Sequence, residues 1–193
     1  LSRLGTCIRV VAVQGVALGL LPLFLKESGP GLHLMLFSAV LIGLKGIVFP
    51  WVLTKTLRGI RIQREIEPFV GYGASIVLGT AALVLSIWLG SRLPLPVPIR
   101  SGLIVPAAFF TIMSGLFLII ARKKALTQVL GYLVLENGIY AFGAALAENQ
   151  PVLFELGILL DVFMAVFVMG IAIFHINREF DHIDTDKLSG LRT

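Results

Sequence analysis

The sequence predicts an all-α, polytopic membrane protein with six transmembrane helices. Of its 193 residues, 57% are hydrophobic and only 14% are charged, and the mean hydropathy is +0.95. A soluble domain is closer to half apolar and a quarter charged. The apolar residues form long runs without the two-residue alternation of a membrane β-barrel. The spanning segments are therefore expected to be α-helices.

Six apolar runs are each long enough to cross a hydrocarbon core about 30 Å thick at a rise of about 1.5 Å per residue. They cover residues 8–25, 32–54, 68–90, 101–121, 126–147 and 151–176. The connections between them are short, so the chain is expected to form a single transmembrane helical domain, 1–193, without a separate soluble domain. Residues 177–193 are polar and of mixed charge, and are expected to form a cytoplasmic tail.

The first four segments differ in what interrupts their apolar runs. Gln14 is the only strongly polar interior residue of the first, and the second contains Lys45. Pro50 follows five residues after Lys45 and has no N–H to donate to the carbonyl of Gly46, which predicts a kink. The third and fourth segments have no interior charge and are expected to be scaffold, joined by the extended, proline-rich connector 92–98.

The fifth and sixth segments form an apolar hairpin, 126–176, that contains carboxylates. Glu136 lies near the middle of the first arm, Asp161 near the middle of the second, and Glu155 close to the turn. A charge at the bilayer centre costs at least about 2.5–3.5 kcal/mol, so intramembrane acids usually have a function. The alternatives are that Glu136 and Asp161 only fix helix packing, and that Glu155 is a wetted interfacial carboxylate.

The groups around Glu136 indicate proton chemistry. Tyr132 and Tyr140 lie one helical turn before and after it, where phenols can hydrogen-bond a carboxyl or hold water beside it. Lys45 is the one cation predicted at the same depth. Burial favours the neutral form of a carboxyl and a nearby cation favours its ionised form, so a movable cationic partner lets a buried acid bind and release protons. The alternative for Lys45 is a structural counter-ion.

Basic residues are distributed unevenly over the loops. With the start of the chain inside, twelve of them face the cytoplasm and three face the other side, which is a positive-inside pattern. The twelve are Arg3, Arg9, Lys55, Arg58, Arg61, Arg64, Arg122, Lys123, Lys124, Arg178, Lys187 and Arg192. Both ends of the chain are therefore expected in the cytoplasm. The net charge of +5 reflects this topology and does not indicate nucleic-acid binding.

Cysteine usage limits the redox chemistry of the chain. Its one cysteine, Cys7, excludes a disulfide framework, a cysteine-ligated iron–sulfur cluster and a cysteine-based zinc site. Any redox chemistry is therefore expected in another subunit.

Three stretches carry a family resemblance. Residues 128–138 read Gln-Val-Leu-Gly-Tyr-Leu-Val-Leu-Glu-Asn-Gly, residues 155–161 read Glu-Leu-Gly-Ile-Leu-Leu-Asp, and the tail contains Ile183 and Asp184 followed by two leucines, Leu188 and Leu191. Together they resemble component E of hydrogenase-4-type complexes, and Lys45 followed by Pro50 extends the resemblance over most of the chain. The C-terminal third is similar to the K-type membrane subunit of respiratory complex I and to the C-type subunit of multisubunit sodium/proton antiporters.

The resemblance implies a non-catalytic membrane subunit of a complex I-like, group 4 nickel–iron hydrogenase or formate hydrogenlyase in a prokaryotic cell (inner) membrane. Such complexes couple electron transfer in a cytoplasmic arm to ion movement through membrane subunits. The implied partners are antiporter-like membrane subunits, a membrane anchor subunit and the cytoplasmic hydrogenase arm. The nickel–iron centre and iron–sulfur clusters are then expected in those partners, with no cofactor in this chain.

The resemblance also gives roles to residues. Glu136 and Asp161 take the places of the two buried carboxylates of the K-type subunit, and with Lys45, Glu155 and the two tyrosines they form the predicted proton path. In the K-type motif the acid comes about a turn before the asparagine, whereas here Glu136 directly precedes Asn137. The family usually has one more N-terminal helix, which is expected ahead of Leu1.

Three alternatives to an ion-conducting subunit remain open from the sequence. They are a structural bridge between antiporter-like subunits and the anchor, the C-type subunit of a cation/proton antiporter, and a stand-alone transporter. Short loops and the absence of a visible inverted repeat disfavour the last.

Overall fold

The computed structural model describes residues 3–25, 31–59, 70–93, 102–122 and 125–146, together with 159–160, 162–163, 166–167 and 170. These residues are helical apart from short caps and turns, which confirms the predicted all-α class. The helices are α1 (Arg3–Leu25), α2 (Leu32–Ile42), α3 (Phe49–Gly59), α4 (Tyr72–Arg92), α5 (Ile104–Ala121) and α6 (Ala125–Leu146). The described positions from 159 to 170 are also helical.

A π-helical stretch, Gly43–Val48, joins α2 to α3 in one continuous helical segment, the second span. Hydrogen bonds in such a stretch reach back five residues, and the N–H of Phe49 accordingly donates to the carbonyl of Leu44. Pro50 comes directly afterwards and has no N–H, so the regular four-residue pattern cannot continue through it. The distortion predicted at Pro50 therefore takes the form of a wide turn ahead of the proline.

The wide turn keeps one side of this span facing the bundle. The buried residues Leu41, Lys45, Phe49 and Leu53 recur at intervals of four. In a regular α-helix each such step over-rotates by about 40°, so the four side chains would spread over about 120°. The extra residue in the wide turn takes up about 100° of that drift. All four side chains can therefore pack towards α1 and α6.

Glycines bring α5 and α6 into close backbone contact. A Cβ atom added at Gly115 would collide with the backbone of Leu135, and one added at Gly138 would lie 2.7 Å from the backbone nitrogen of Ile112. Side chains at these glycines would force the helices apart. The two helices thus form a tight pair, and α4 packs on the far side of α5.

Two apolar clusters lie on either side of the bundle centre, where α1 packs against the second span and α6. The first cluster consists of Leu4, Ile8, Phe49, Leu53, Val129, Leu130 and Leu133. The second consists of Leu41, Tyr140 and Ala144, with Leu18, Leu21 and Phe37 packed against it. The first cluster joins residues near the start of α1, residues of α3 and residues near the start of α6. The first turns of α1 and α6 and the C-terminal half of the second span therefore lie on one side of the bundle. An alternating topology requires this arrangement.

Four helices in the described part of the chain are long and apolar enough to cross a membrane: Leu4–Phe24, Leu34–Lys55, Tyr72–Arg92 and Ile104–Ala121. They correspond to the first four predicted segments. At the fifth, α6 has 22 residues, but Gln128, Glu136 and Asn137 interrupt its apolar run. Most of the sixth segment, 151–176, and the tail 177–193 lie outside the described residues. The count of six transmembrane helices stays a prediction.

Candidate functional site

A polar site lies where α1, the π-helical stretch and α6 meet. Gln14, Lys45 and Glu136 each lie within one residue of the middle of the helical span that carries them. The two apolar clusters lie on either side of these residues along the bundle. The site is therefore at the middle of the apolar thickness of the bundle, where a polar group must find its partners within the protein.

A close contact with α1 fixes the position of Lys45. Gly15 has no side chain, and a Cβ atom added there would lie 2.6 Å from the Cβ of Lys45. One turn further on, a Cβ added at Gly19 would lie 2.5 Å from the side chain of Ile42. Two small residues four positions apart let membrane helices approach closely. The backbone of Lys45 is thereby held against α1.

Lys45 forms a buried ion pair with Glu136. Its Nζ lies 3.3 Å from Oε1 of the carboxylate, and the two residues are only 6% and 2% exposed. Removing one partner of a buried pair strands the other charge and typically costs about 3–5 kcal/mol. The structure thus brings together the predicted intramembrane cation and one of the predicted carboxylates.

Asn137 is a second acceptor for the same ammonium group. Lys45 Nζ donates to Asn137 Oδ1 at 3.0 Å, and Asn137 Nδ2 donates to Gln14 Oε1 at 3.5 Å. Glu136 and Asn137 are neighbours in sequence, about 100° apart around the helix, and both are buried. A chain of polar contacts therefore runs from the carboxylate through Lys45 and Asn137 to α1.

The two predicted tyrosines have different surroundings. The ring centroid of Tyr140 lies 5.8 Å from Lys45 Nζ, within the range of a cation–π interaction, and Tyr140 is buried in the second apolar cluster. Tyr132 is partly buried and packs against the first cluster. The tyrosine after Glu136 is thus part of the polar site, and the tyrosine before it lies on the side where α6 begins.

A small cavity of about 10 Å³ lies beside Lys45 and Asn137. Its other lining residues are apolar: Ile8, Val11, Phe49, Pro50, Leu53 and Leu133. A cavity of this size holds about one water molecule, which needs polar partners such as these two side chains. The cavity lies on the side of Lys45 where α1 and α6 begin.

The arrangement offers two ways to hold the charge of Lys45. While Glu136 is ionised, the ammonium group lies between a carboxylate and an amide oxygen. If Glu136 takes up a proton, the amide oxygen of Asn137 remains as a neutral acceptor. A buried acid with a cation beside it can thus exchange a proton while the cation stays hydrogen-bonded.

Sequence reasoning and structure overlap only in part at this site. Glu155 and Asp161 lie outside the described residues, so their place in the path stays a prediction. Gln14 and Asn137 were not predicted as site residues. The signal was present, because a buried amide in an apolar helix needs hydrogen-bond partners and Asn137 directly follows the buried acid.

Comparisons with known proteins fit these features. The family described as NADH-ubiquinone/plastoquinone oxidoreductase chain 4L matches residues 103–193. The uncharacterized protein Rv0085 of Mycobacterium tuberculosis is 34% identical over 189 residues, which are 96% of this chain and 84% of that protein. Hydrogenase-4 component E of Escherichia coli K12 is 29% identical over 162 residues, 83% of this chain and 74% of that protein, and its Shigella flexneri counterpart matches equally. No solved structure matches the chain at a significant level.

Proposed function

Because the chain belongs to one family with the mycobacterial protein, is a homologue of hydrogenase-4 component E and has a chain 4L domain in its C-terminal part, we propose that it forms part of the ion path of a complex I-like, group 4 nickel–iron hydrogenase. The homology and the apolar helices support a multi-pass membrane subunit of a complex I-like complex. The hydrogenase and the ion path are the further steps of the proposal.

The observation that carries the proposal is the buried Lys45–Glu136 pair at the centre of the bundle. A fixed, dry ion pair stabilises a fold little more than an apolar pair of the same volume would. Intramembrane charges of this kind mark ion pathways more often than they serve stability. Lys45 is also hydrogen-bonded to Asn137 and lies beside a cavity. A purely structural counter-ion needs neither of these features.

The proposed step is the transfer of one proton through Glu136. A proton that reaches the carboxylate converts it to a carboxylic acid and removes the charge that holds Lys45. The ammonium group then stays on the amide oxygen of Asn137. Release of the proton to the next group restores the carboxylate and the ion pair. One proton moves in each cycle, and Lys45 keeps its own protons throughout.

The remaining predicted residues extend the path on both sides. Tyr140 lies beside Lys45, and Tyr132 lies one turn from Glu136 towards the start of α6. A single water in the cavity would link Lys45 towards that same side. Asp161 and Glu155, in the sixth proposed helix, would carry the path on to neighbouring subunits.

The proposal assigns the electron chemistry to partner subunits. The nickel–iron centre and iron–sulfur clusters would lie in a cytoplasmic hydrogenase arm, joined through a membrane anchor subunit and antiporter-like subunits. The positive-inside pattern supports a cytoplasmic location for the start of α1 and the end of α3.

A structural bridge without an ion path of its own is the second candidate. The close packing of Lys45 against Gly15 favours it, because a static pair needs such rigid support. In this case the pair would only fix the position of α6 against the second span.

The two candidates predict different results for neutral variants of the pair. Lys45→Met alone strands a carboxylate and should destabilise the complex by about 3–5 kcal/mol. In a static bridge, the double variant Lys45→Met with Glu136→Gln should regain both assembly and ion coupling. In an ion path the double variant should assemble but remain uncoupled, and Asp161→Asn alone should also uncouple.

The measurement is ion uptake per electron by inverted membrane vesicles that carry the complex. The vesicles are supplied with whichever of hydrogen, formate or NADH the purified complex oxidises, and copurification of the partner subunits controls for assembly. Full coupling in the double variant would reject the ion path.

A further inference from the structure

The amide of Asn137 joins two helices to the ion pair, and its orientation is determined by chemistry. An ammonium group has only hydrogen-bond donors, so the atom that Asn137 presents to Lys45 must be its oxygen. The amide nitrogen then points the other way, to Gln14 Oε1 on α1. Gln14 in turn presents an acceptor to Asn137. The two hydrogen bonds thus run in one direction: Lys45 donates to Asn137, and Asn137 donates to Gln14 on α1.

The neutral acceptor is closer to the ammonium than the charged one. Lys45 Nζ lies 3.0 Å from Asn137 Oδ1 and 3.3 Å from Glu136 Oε1. At 6% exposure Lys45 has little access to bulk water, so its charge depends on hydrogen-bond acceptors within the protein. When Glu136 becomes protonated, the contact with Asn137 still has its full acceptor strength.

We propose that Asn137, oriented by Gln14, is a positioning residue that keeps Lys45 charged and in place while Glu136 is protonated. This inference rests on the proposed ion path through Glu136. The amide carries no proton of the path itself. Its part is to give the ammonium a neutral acceptor, so that protonation of Glu136 requires neither deprotonation nor displacement of the lysine.

Gln14 gives the sharper test, because its hydrogen bond goes to Asn137 and not to Lys45 or Glu136 among the hydrogen bonds seen for it. In Gln14→Met the amide nitrogen of Asn137 loses this acceptor, so the amide is no longer held from the α1 side and its oxygen can move away from the ammonium. In Gln14→Glu an acceptor oxygen stays in place, whether the new side chain is neutral or ionised. A role in orientation predicts better coupling for Gln14→Glu than for Gln14→Met. A role in apolar packing predicts the opposite order, because only methionine matches an apolar contact.

The experiment measures ion uptake per electron in inverted membrane vesicles that carry the intact complex, for five variants and the wild type. We expect Asn137→Leu to lower the coupled rate by about tenfold or more, as the loss of a hydrogen bond to a charged group does. Gln14→Met should lower it severalfold, and Gln14→Glu should retain more coupling than Gln14→Met because the acceptor oxygen is kept. The matched control is Gln128→Met, because the amide of Gln128 is exposed and contacts only the carbonyl of Arg122 among the hydrogen bonds seen for it.

Glu136→Gln in the same assay distinguishes failure of the proposed ion path from failure of the positioning role of Asn137. If Glu136→Gln keeps full coupling, the ion path itself fails and this inference fails with it. If Glu136→Gln uncouples while Asn137→Leu and Gln14→Met both behave like Gln128→Met, the ion path stands and the inference is wrong. If Asn137→Leu does not assemble, the order of the two Gln14 variants decides, and a better-coupled Gln14→Met overturns the inference.

Discussion

Replacing Gly15 by alanine should disturb the ion pair without touching either of its charges. The added Cβ would lie 2.6 Å from the Cβ of Lys45, whereas carbon atoms in contact prefer about 3.5–4.0 Å. The helices must therefore separate by about 1 Å, and over-packing of this kind typically costs about 1–3 kcal/mol. A shift of that size changes the contacts of Lys45 Nζ with Glu136 and Asn137, which are now 3.3 and 3.0 Å.

Gly43→Ala is the matched control for this prediction. Gly43 lies two residues before Lys45 on the same span, and an added Cβ meets no atom within 4 Å. Its backbone is also right-handed helical, so alanine fits without strain. The assay compares the melting temperature of the purified complex and its ion uptake per electron in vesicles. Equal behaviour of Gly15→Ala and Gly43→Ala would refute the argument that α1 positions the lysine.

Two further predictions concern topology and helix packing. A cysteine placed at Arg61 should resist an impermeant thiol reagent added outside intact cells, since the positive-inside pattern predicts that this position faces the cytoplasm. Labelling from outside would show that the protein has the opposite orientation in the membrane. Gly115→Ala should destabilise the α5–α6 pair by about 1–3 kcal/mol or more, because the added Cβ would collide with backbone that cannot rotate away. Gly143→Ala on α6 has open space and should be neutral, and comparable melting temperatures for the two variants would contradict the packing argument.

The helices were predictable from the sequence because length and hydropathy alone decide which runs can cross a bilayer. The family resemblance, drawn from the residues around Glu136, is confirmed by the homologue and by the chain 4L match. Lys45 and Glu136 were also predictable as a pair of special residues, since a charge in an apolar run is costly. For these features the positions of apolar and charged residues in the sequence are sufficient.

The contacts within the site were not predictable to the same extent. Lys45 and Glu136 are 91 residues apart in sequence, and whether they meet depends on how two helices are rotated. That rotation depends on the wide turn at Gly43–Val48, for which the sequence offered only Pro50 as a signal. The packing of Tyr132 against the first apolar cluster was not predicted from spacing either, and its part in the path stays a prediction.

Because of the wide turn, the number of residues in the second span determines which of its side chains face the neighbouring helices. A relative with one residue fewer between positions 43 and 48 would form an undistorted helix, and everything before the deletion would turn by about 100° relative to the rest. Ser38 and Leu41, both 1% exposed here, would then face lipid. A single-residue gap at this place in an alignment of homologues would therefore mark a subunit in which α2 and α3 no longer present the same side to the bundle.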